Sequence, residues 1–125
     1  MTAARRARGS RAHASGLDAE ALACAALEGD GWTVLARRAR TAAGEVDAVA
    51  TRGGLVAFIE VKQRPTLADA AAALSARQQA RLLAAAEILL GENPHWGAEG
   101  VRFDVLLVDQ AGAVRRIADA FRRES

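Results

Sequence analysis

GEVDAVATRGGLVAFIEVK, residues 44–62, is the stretch that decides the fold. Two runs rich in Val, Ala, Phe and Ile, residues 45–51 and 55–62, lie on either side of Gly53-Gly54. Such runs around a Gly-Gly pair predict a β-hairpin with a two-residue turn. Because both runs are apolar on both faces near the turn, other elements must cover both sides of the sheet that contains them. We therefore expect a mixed α/β domain.

The segments outside the hairpin predict the remaining elements. Ser15 suits the N-cap of a helix over residues 16–28, and Gly29-Asp30-Gly31 suits its end. Further elements are predicted as a strand at 32–35, a long helix at 67–90, strands at 101–109 and 113–117, and a short helix near 119–121. The predicted order is α-β-β-β-α-β-β in one domain over residues 15–125. Residues 1–14 are predicted to be a basic, disordered tail.

Composition narrows the class of protein. A single cysteine, Cys24, favours a reducing compartment and is expected to be a small buried side chain. No apolar run approaches the roughly 20 residues of a membrane span, and none follows the basic N-terminus as in a secretory signal. We therefore expect a cytoplasmic protein without a membrane partner. The net charge is +2, and the arginines that precede Asp18 suit either a phosphate-binding arm or a solubilising tail.

Four charged residues mark the open end of the predicted hairpin. If Arg52 faces Leu55 across the turn, the same register puts Asp47 opposite Glu60. Glu45 then lies opposite Lys62, the single lysine of the chain. All four side chains are expected on one face because side chains alternate along a strand.

Two interpretations of this cluster are open from the residues alone. Opposed carboxylates repel, and a divalent cation reverses that repulsion, so Asp47 and Glu60 could hold Mg²⁺ or Mn²⁺ beside Lys62. Lys62 could then orient or deprotonate an attacking water, or neutralise charge in a transition state. Alternatively, the cluster is a set of cross-strand salt bridges, such as Glu45 with Lys62.

The motifs resemble those of a known nuclease superfamily. G-E-V-D at 44–47 and F-I-E-V-K-Q-R at 58–64 resemble the signature of PD-(D/E)xK nucleases, in particular the small bacterial YraN-like family, which is similar to archaeal Holliday-junction resolvases. Flanking blocks agree at 16–23, 31–35, 77–82 and 102–105. The resemblance implies a restriction-endonuclease-like core, with a central mixed sheet flanked by helices.

The resemblance also implies roles for individual residues. Asp47 and Glu60 would be metal ligands and Lys62 the catalytic lysine. Glu20 would be a supporting acidic residue, and Val61 would lend its backbone carbonyl to the metal. Gln78, which stands where the family often has lysine, would contact the site or the phosphate.

Arginines near this site suit a nucleic-acid partner. Arg37, Arg38, Arg40 and Arg64 flank the hairpin and could form a phosphate track. Arg77 and Arg81, one helical turn apart, are more typical of a solvated surface. Arg102 and Asp104 share a strand face, and we expect them to have a structural role in pairing with neighbouring residues.

Three functions compete for this sequence. The first is a Mg²⁺-dependent endonuclease that hydrolyses phosphodiester bonds of nucleic acid, with branched DNA as the candidate substrate. The second is a nucleic-acid-binding module of the same fold with little or no cleavage, and the third is a structural protein. By analogy with junction resolvases, a homodimer is expected.

Overall fold

The computed structural model describes residues 11–66 and 74–122. The chain forms two helices and five strands over these ranges: α1 (Arg11–Gly29), β1 (Thr33–Thr41), β2 (Gly44–Arg52), β3 (Leu55–Gln63), α2 (Ala76–Glu92), β4 (Gly100–Val108) and β5 (Val114–Ile117). The described elements follow the predicted order α-β-β-β-α-β-β. Within these ranges, neither helix combines the length and apolar character that crossing a membrane requires.

The five strands form one mixed sheet in the order β1-β2-β3-β4-β5. Neighbouring strands are antiparallel except for β3 and β4, which are parallel. A parallel pair needs a crossover connection, and α2 lies in that crossover. The mixed α/β class predicted from the sequence is therefore confirmed.

The hairpin has the predicted register. Arg52 pairs with Leu55, and the ladder continues to the pair Ala48–Ile59. Gly53 and Gly54 have φ of +60° and +84°. Both turn residues thus adopt the left-handed conformation that a two-residue turn requires and that glycine tolerates without strain.

Each face of the sheet carries one helix. On one face, α1 contributes Ala23, Cys24 and Leu27 to a buried cluster with Trp32 and the sheet residues Ala48, Ala50, Ala57, Ile59 and Leu106. On the other face, α2 packs Leu82, Ala85, Ala86 and Leu89 against Val46, Val49, Val56, Phe58 and Phe103. The doubly apolar strands of the hairpin are covered on both sides, as their sequence predicted. Burial raises the pKa of the Cys24 thiol, which suits a packing role.

Two predicted boundaries near the N-terminus are wrong. Helix α1 begins at Arg11, so Ser15 lies inside the helix and does not cap it. The Ala- and Arg-rich residues around Ser15 favour helix, and the helix extends through them. Strand β1 runs on from the predicted 32–35 to Thr41, because pairing with β2 overrides the weak strand preference of Ala and Arg. The first ten residues of the predicted tail lie outside the described ranges.

Two predicted helices also differ from the structure. Helix α2 begins at Ala76 instead of continuing from residue 67, since Ser75 is extended and caps it. Residues 67–73 of the predicted helix lie outside the described ranges. No helix forms at 119–121: Asp119 has φ of +55°, and the backbone N–H of Ala120 donates to the Phe103 carbonyl of β4. These backbone groups thus bond to the sheet region and not to a helical turn.

Helix α2 starts with a complete capping box. The Gln78 N–H donates to Ser75 Oγ at 3.1 Å, and the Ser75 N–H donates to Gln78 Oε1 at 2.9 Å. Replacing Ser75 by alanine is expected to lower the free energy of unfolding by about 1 kcal/mol, measured by urea denaturation. Arg77→Ala, an exposed change in the same turn, is the control and should leave stability unchanged or slightly raised. An unchanged midpoint in Ser75→Ala would contradict the cap.

A buried ion pair joins Arg102 and Asp104 of β4, for which the sequence predicted a structural pairing with neighbours. Asp104 is 0% exposed, and its carboxylate accepts from Arg102 Nε at 3.1 Å and Arg102 Nη2 at 2.7 Å. Its Oδ1 also accepts from the Asp119 N–H at 2.8 Å. The carboxylate thus fixes both the arginine and the turn after β5.

Replacing Asp104 by asparagine is expected to destabilise the domain by about 2–4 kcal/mol, because it leaves the Arg102 guanidinium without its buried counter-charge. The asparagine oxygen can still accept the hydrogen bond from the Asp119 N–H, so the loss of stability would measure the contribution of the ion pair with Arg102. Thermal and urea unfolding measure the effect. Arg122→Gln, which removes an exposed ion pair with Asp119, should leave the midpoint unchanged. Equal midpoints for Asp104→Asn and the parent would refute a stabilising role for the pair.

Candidate active site

Asp47 lies where the backbone ladder of the hairpin ends. The last pair of the ladder is Ala48–Ile59, so Asp47 and Glu60 are the next residues on their strands. Asp47 Oδ2 accepts a hydrogen bond from the Val61 N–H at 2.8 Å. Since the N–H and C=O of a strand residue point to the same side, the Val61 carbonyl also faces β2. One carboxylate and one carbonyl therefore converge at the open end of the hairpin.

Negative charge accumulates around Asp47. Its pKa is raised from 3.8 to about 6, chiefly because burial removes water from the carboxylate. The hydrogen bond from Val61 lowers this pKa, whereas the charges of Glu60, Glu20 and Glu45 raise it. The fold thus brings three further carboxylates within electrostatic range of Asp47, and burial together with their charges disfavours its ionised form.

Lys62 provides positive charge at the same place. Its Nζ lies 3.2 Å from Glu60 Oε2, and the two side chains are only 17% and 12% exposed. The two residues are two apart on β3 and therefore share a face. The expected Glu45–Lys62 bridge is not the pair that forms: Glu45 instead contacts Arg40 at 3.4 Å, on the exposed strand β1.

Helix α1 and strand β1 complete the cluster. Glu20 Oε1 accepts from Arg38 Nε at 2.8 Å, and this bond raises the pKa of the Arg38 guanidinium. Glu45 and Asp47 raise the same pKa further, so Arg38 lies within range of the central carboxylates. Arg38 also has φ of +51°, a conformation that non-glycine residues rarely adopt. The unusual backbone conformation of Arg38 thus accompanies a guanidinium that lies within range of Glu20, Glu45 and Asp47.

Gly44, just before the acidic residues of β2, cannot carry a side chain without displacing its neighbour. Its φ is +141°, and a Cβ at this position would lie 2.9 Å from both Cγ and Cδ of Arg81. The aliphatic part of Arg81 therefore passes directly over Gly44, which brings α2 beside the site. The sequence pattern favoured a plain solvated surface for Arg81 and missed this contact, because a helical spacing alone does not show what faces the helix.

The remaining predicted nucleic-acid residues are distributed around this cluster. Arg37, Arg38 and Arg40 are exposed on β1, and Arg64 follows β3 with Nη1 donating to the Gln63 carbonyl. Gln78 lies at the start of α2, where its side chain belongs to the capping box. The fold therefore brings together Glu20, Asp47, Glu60, Val61 and Lys62, with arginines of β1 at one side.

The donor set is chemically suited to a hard divalent cation, although it is small. Across the described residues, no three side chains of the types Asp, Glu, His and Cys are gathered as a complete metal-binding group. Two carboxylates and one carbonyl are nevertheless oxygen ligands of the kind that Mg²⁺ prefers, and Mg²⁺ usually retains several waters and takes substrate phosphate as a further ligand. The cluster fits a cation that is held only partly by protein.

Comparisons with known proteins identify relatives of the chain. The family described as "Uncharacterised protein family UPF0102" matches residues 19–108. A UPF0102 protein of Granulibacter bethesdensis is 58% identical over 115 residues, covering 92% of this chain and 73% of the relative. A UPF0102 protein of Azorhizobium caulinodans is 46% identical over 123 residues, covering 98% and 93%. One of Rhodopseudomonas palustris is 47% identical over 107 residues, covering 86% and 82%.

Proposed function

This chain belongs to the UPF0102 family, and from the site that it carries we propose that it is a metal-dependent nuclease which hydrolyses phosphodiester bonds of nucleic acid. The proposal includes a restriction-endonuclease-like core of the PD-(D/E)xK type. Two observations support such a core. The mixed sheet lies between two helices, and the motifs G-E-V-D and E-V-K lie on the paired strands β2 and β3 of that sheet.

One observation carries the proposal. The half-buried Asp47 carboxylate is held by the Val61 N–H next to Glu60 and Lys62, in a place where its own ionisation is disfavoured. A residue selected for stability alone would not be charged there. A divalent cation offsets both the desolvation and the mutual repulsion of the carboxylates, so the arrangement is favourable when the cation is present.

The Asp47 and Glu60 carboxylates and the Val61 carbonyl would hold Mg²⁺ or Mn²⁺. The bound cation would supply positive charge for a phosphate oxygen and acidity for a water ligand. Lys62, fixed by Glu60, can orient the attacking water, hold its proton, or neutralise charge that builds on the phosphate. Glu20 holds Arg38 beside these groups, so that a guanidinium can contact the nucleic-acid backbone.

The rival proposal is a nucleic-acid-binding module of the same fold without cleavage. The exposed arginines of β1 would serve it equally well, since phosphate contacts need no metal. Two features favour the enzyme: the close Glu60–Lys62 pair and the raised pKa of Asp47. Carboxylates next to a bound phosphate would repel it, so a protein that only binds nucleic acid gains nothing from them. DNA as substrate, a homodimer and a cytoplasmic location stay predictions from the sequence.

The test is cleavage by the parent protein. Labelled duplex DNA, single-stranded DNA, four-way-junction DNA and duplex RNA are incubated with the protein in Mg²⁺, in Mn²⁺ and in EDTA. We expect cleavage of at least one substrate in either cation and none in EDTA. A Lys62→Met protein purified in parallel excludes a contaminating nuclease. Binding that is unaffected by EDTA, with no cleavage of any substrate, would establish the binding module instead.

A further inference from the structure

Three arginines surround one indole at the opposite end of the hairpin from the acidic cluster. Trp32 is only 3% exposed. The Cζ atoms of Arg52, Arg102 and Arg116 lie 4.8, 5.3 and 5.5 Å from the centre of its ring. These arginines come from β2, β4 and β5, so the packing of separate strands brings them to the same side chain. Each distance is within the range of a cation–π contact.

The positive charge of this group is only partly neutralised. Arg102 has Asp104 as its counter-charge. Arg52 donates to the neutral carbonyl of Asp30 at 2.8 Å. The Arg116 guanidinium lies over the indole, and its Nη1 has no hydrogen-bond partner within the described part of the chain. Two guanidinium charges therefore lie against one ring with no carboxylate bound to either.

Two buried donors in the group also lack an acceptor. Trp32 Nε1 and Arg116 Nη1 are inaccessible to solvent and have no partner among residues 11–66 and 74–122. A buried donor without an acceptor costs free energy, and two neighbouring cations add repulsion. An oxyanion at the solvent-facing side of Arg52 and Arg116 would offset this repulsion, because it carries the opposite charge and accepts hydrogen bonds from guanidinium N–H groups.

We propose that Arg52 and Arg116, stacked on Trp32, form a binding site for a phosphate-class oxyanion. Arg52 is exposed and Arg116 is half-buried, so an anion can approach both guanidiniums from solvent. Planar guanidiniums that are already stacked present fixed N–H groups to phosphate oxygens. Arg52 is five residues from Asp47 on β2, or roughly 17 Å along an extended strand. Arg52 is therefore remote from Asp47, and the proposal does not depend on the proposed nuclease activity.

Trp32 reports on binding once the other tryptophan is replaced. The full chain with Trp96→Phe is titrated with inorganic phosphate in one arm and with a short single-stranded oligonucleotide in the other, while Trp32 fluorescence is recorded. A saturable change with phosphate identifies the free anion as a ligand. A saturable change with the oligonucleotide alone identifies backbone phosphate as the source.

Arg116→Gln is expected to weaken whichever ligand binds by about tenfold or more, as loss of a charge-assisted contact does. Arg52→Gln should act in the same direction. Arg115→Gln removes the same charge from the adjacent, exposed position of β5 and should leave affinity for inorganic phosphate unchanged. Circular dichroism checks that each variant is folded. The proposal is overturned if neither ligand gives a saturable signal, or if Arg116→Gln and Arg115→Gln bind equally well. Cleavage assays on the same variants keep this outcome separate from that of the nuclease proposal.

Discussion

Replacing Asp47 by asparagine is expected to reduce metal-dependent cleavage by at least about a thousandfold, while the protein stays folded. The amide has nearly the same shape as the carboxylate, and its oxygen can still accept from the Val61 N–H. It carries no charge, however, and is a far weaker ligand for a hard cation. The variant should therefore also lose the rise in melting temperature that Mg²⁺ or Mn²⁺ gives the parent protein.

The same substitution is expected to stabilise the metal-free protein at neutral pH. The pKa of Asp47 is about 6 in the folded chain and 3.8 in the reference state, so folding disfavours the ionised form. That cost is absent below about pH 4, grows between pH 4 and pH 6, and is complete above pH 6. The shift corresponds to at most about 3 kcal/mol, and solvent screening of a half-buried group reduces it to about 1–2 kcal/mol.

Thermal unfolding in EDTA measures this effect. Asp47→Asn should melt several degrees above the parent at pH 8, and the difference should vanish near pH 4. Glu92→Gln, which removes an exposed carboxylate at the end of α2, is the control: loss of a negative charge at a helix C-terminus should raise the melting temperature much less than Asp47→Asn does. A variant that melts below the parent at pH 8 and cleaves normally would mean that Asp47 serves the fold alone.

Replacing Lys62 by methionine is expected to reduce cleavage by about a hundred- to a thousandfold without abolishing metal binding. Methionine keeps an unbranched side chain as far as the ε-carbon and removes the ammonium group that lies 3.2 Å from Glu60 Oε2. Since the carboxylates remain, Mn²⁺ affinity measured by calorimetry should persist. This separation of cation binding from cleavage distinguishes Lys62 from Asp47.

Lys62→Arg separates the two roles that the lysine could have. Arginine retains the positive charge but does not release a proton in a protein. Partial recovery of cleavage relative to Lys62→Met would assign Lys62 to charge neutralisation or orientation, whereas no recovery would assign it to proton transfer. Full activity in Lys62→Met would remove the residue from the site.

The sequence predicted the hairpin and its charged end because those features depend on local patterns. Gly53-Gly54 sets the turn, the turn sets the register, and the paired ladder ends at Ala48–Ile59, next to Asp47 and Glu60. The order of elements was equally predictable, since each carries its own periodicity and end signals.

Contacts between distant segments could not be predicted in the same way. The pairing of Glu20 with Arg38 depends on how α1 packs on β1, and the position of Arg81 depends on how α2 crosses Gly44. The break before Ala76 was hidden because Ala- and Leu-rich residues favour helix on both sides of Ser75. The arginine group around Trp32 contains residues from three strands that are far apart in the sequence, so no short sequence motif predicts it.

The parallel pairing of β3 with β4 has a consequence for how the chain assembles. Strands β1, β2 and β3 are joined by short turns and can pair through local contacts, whereas each residue of β3 pairs with a β4 residue 45 positions later. Closing so long a loop costs more chain entropy, so this pairing is expected to be the late step of folding. Until it occurs, β3 presents a full row of unpaired backbone groups flanked by its most apolar side chains. Aggregation during refolding is therefore expected to start at this transient inner edge and not at β1 or β5, the edges of the finished sheet.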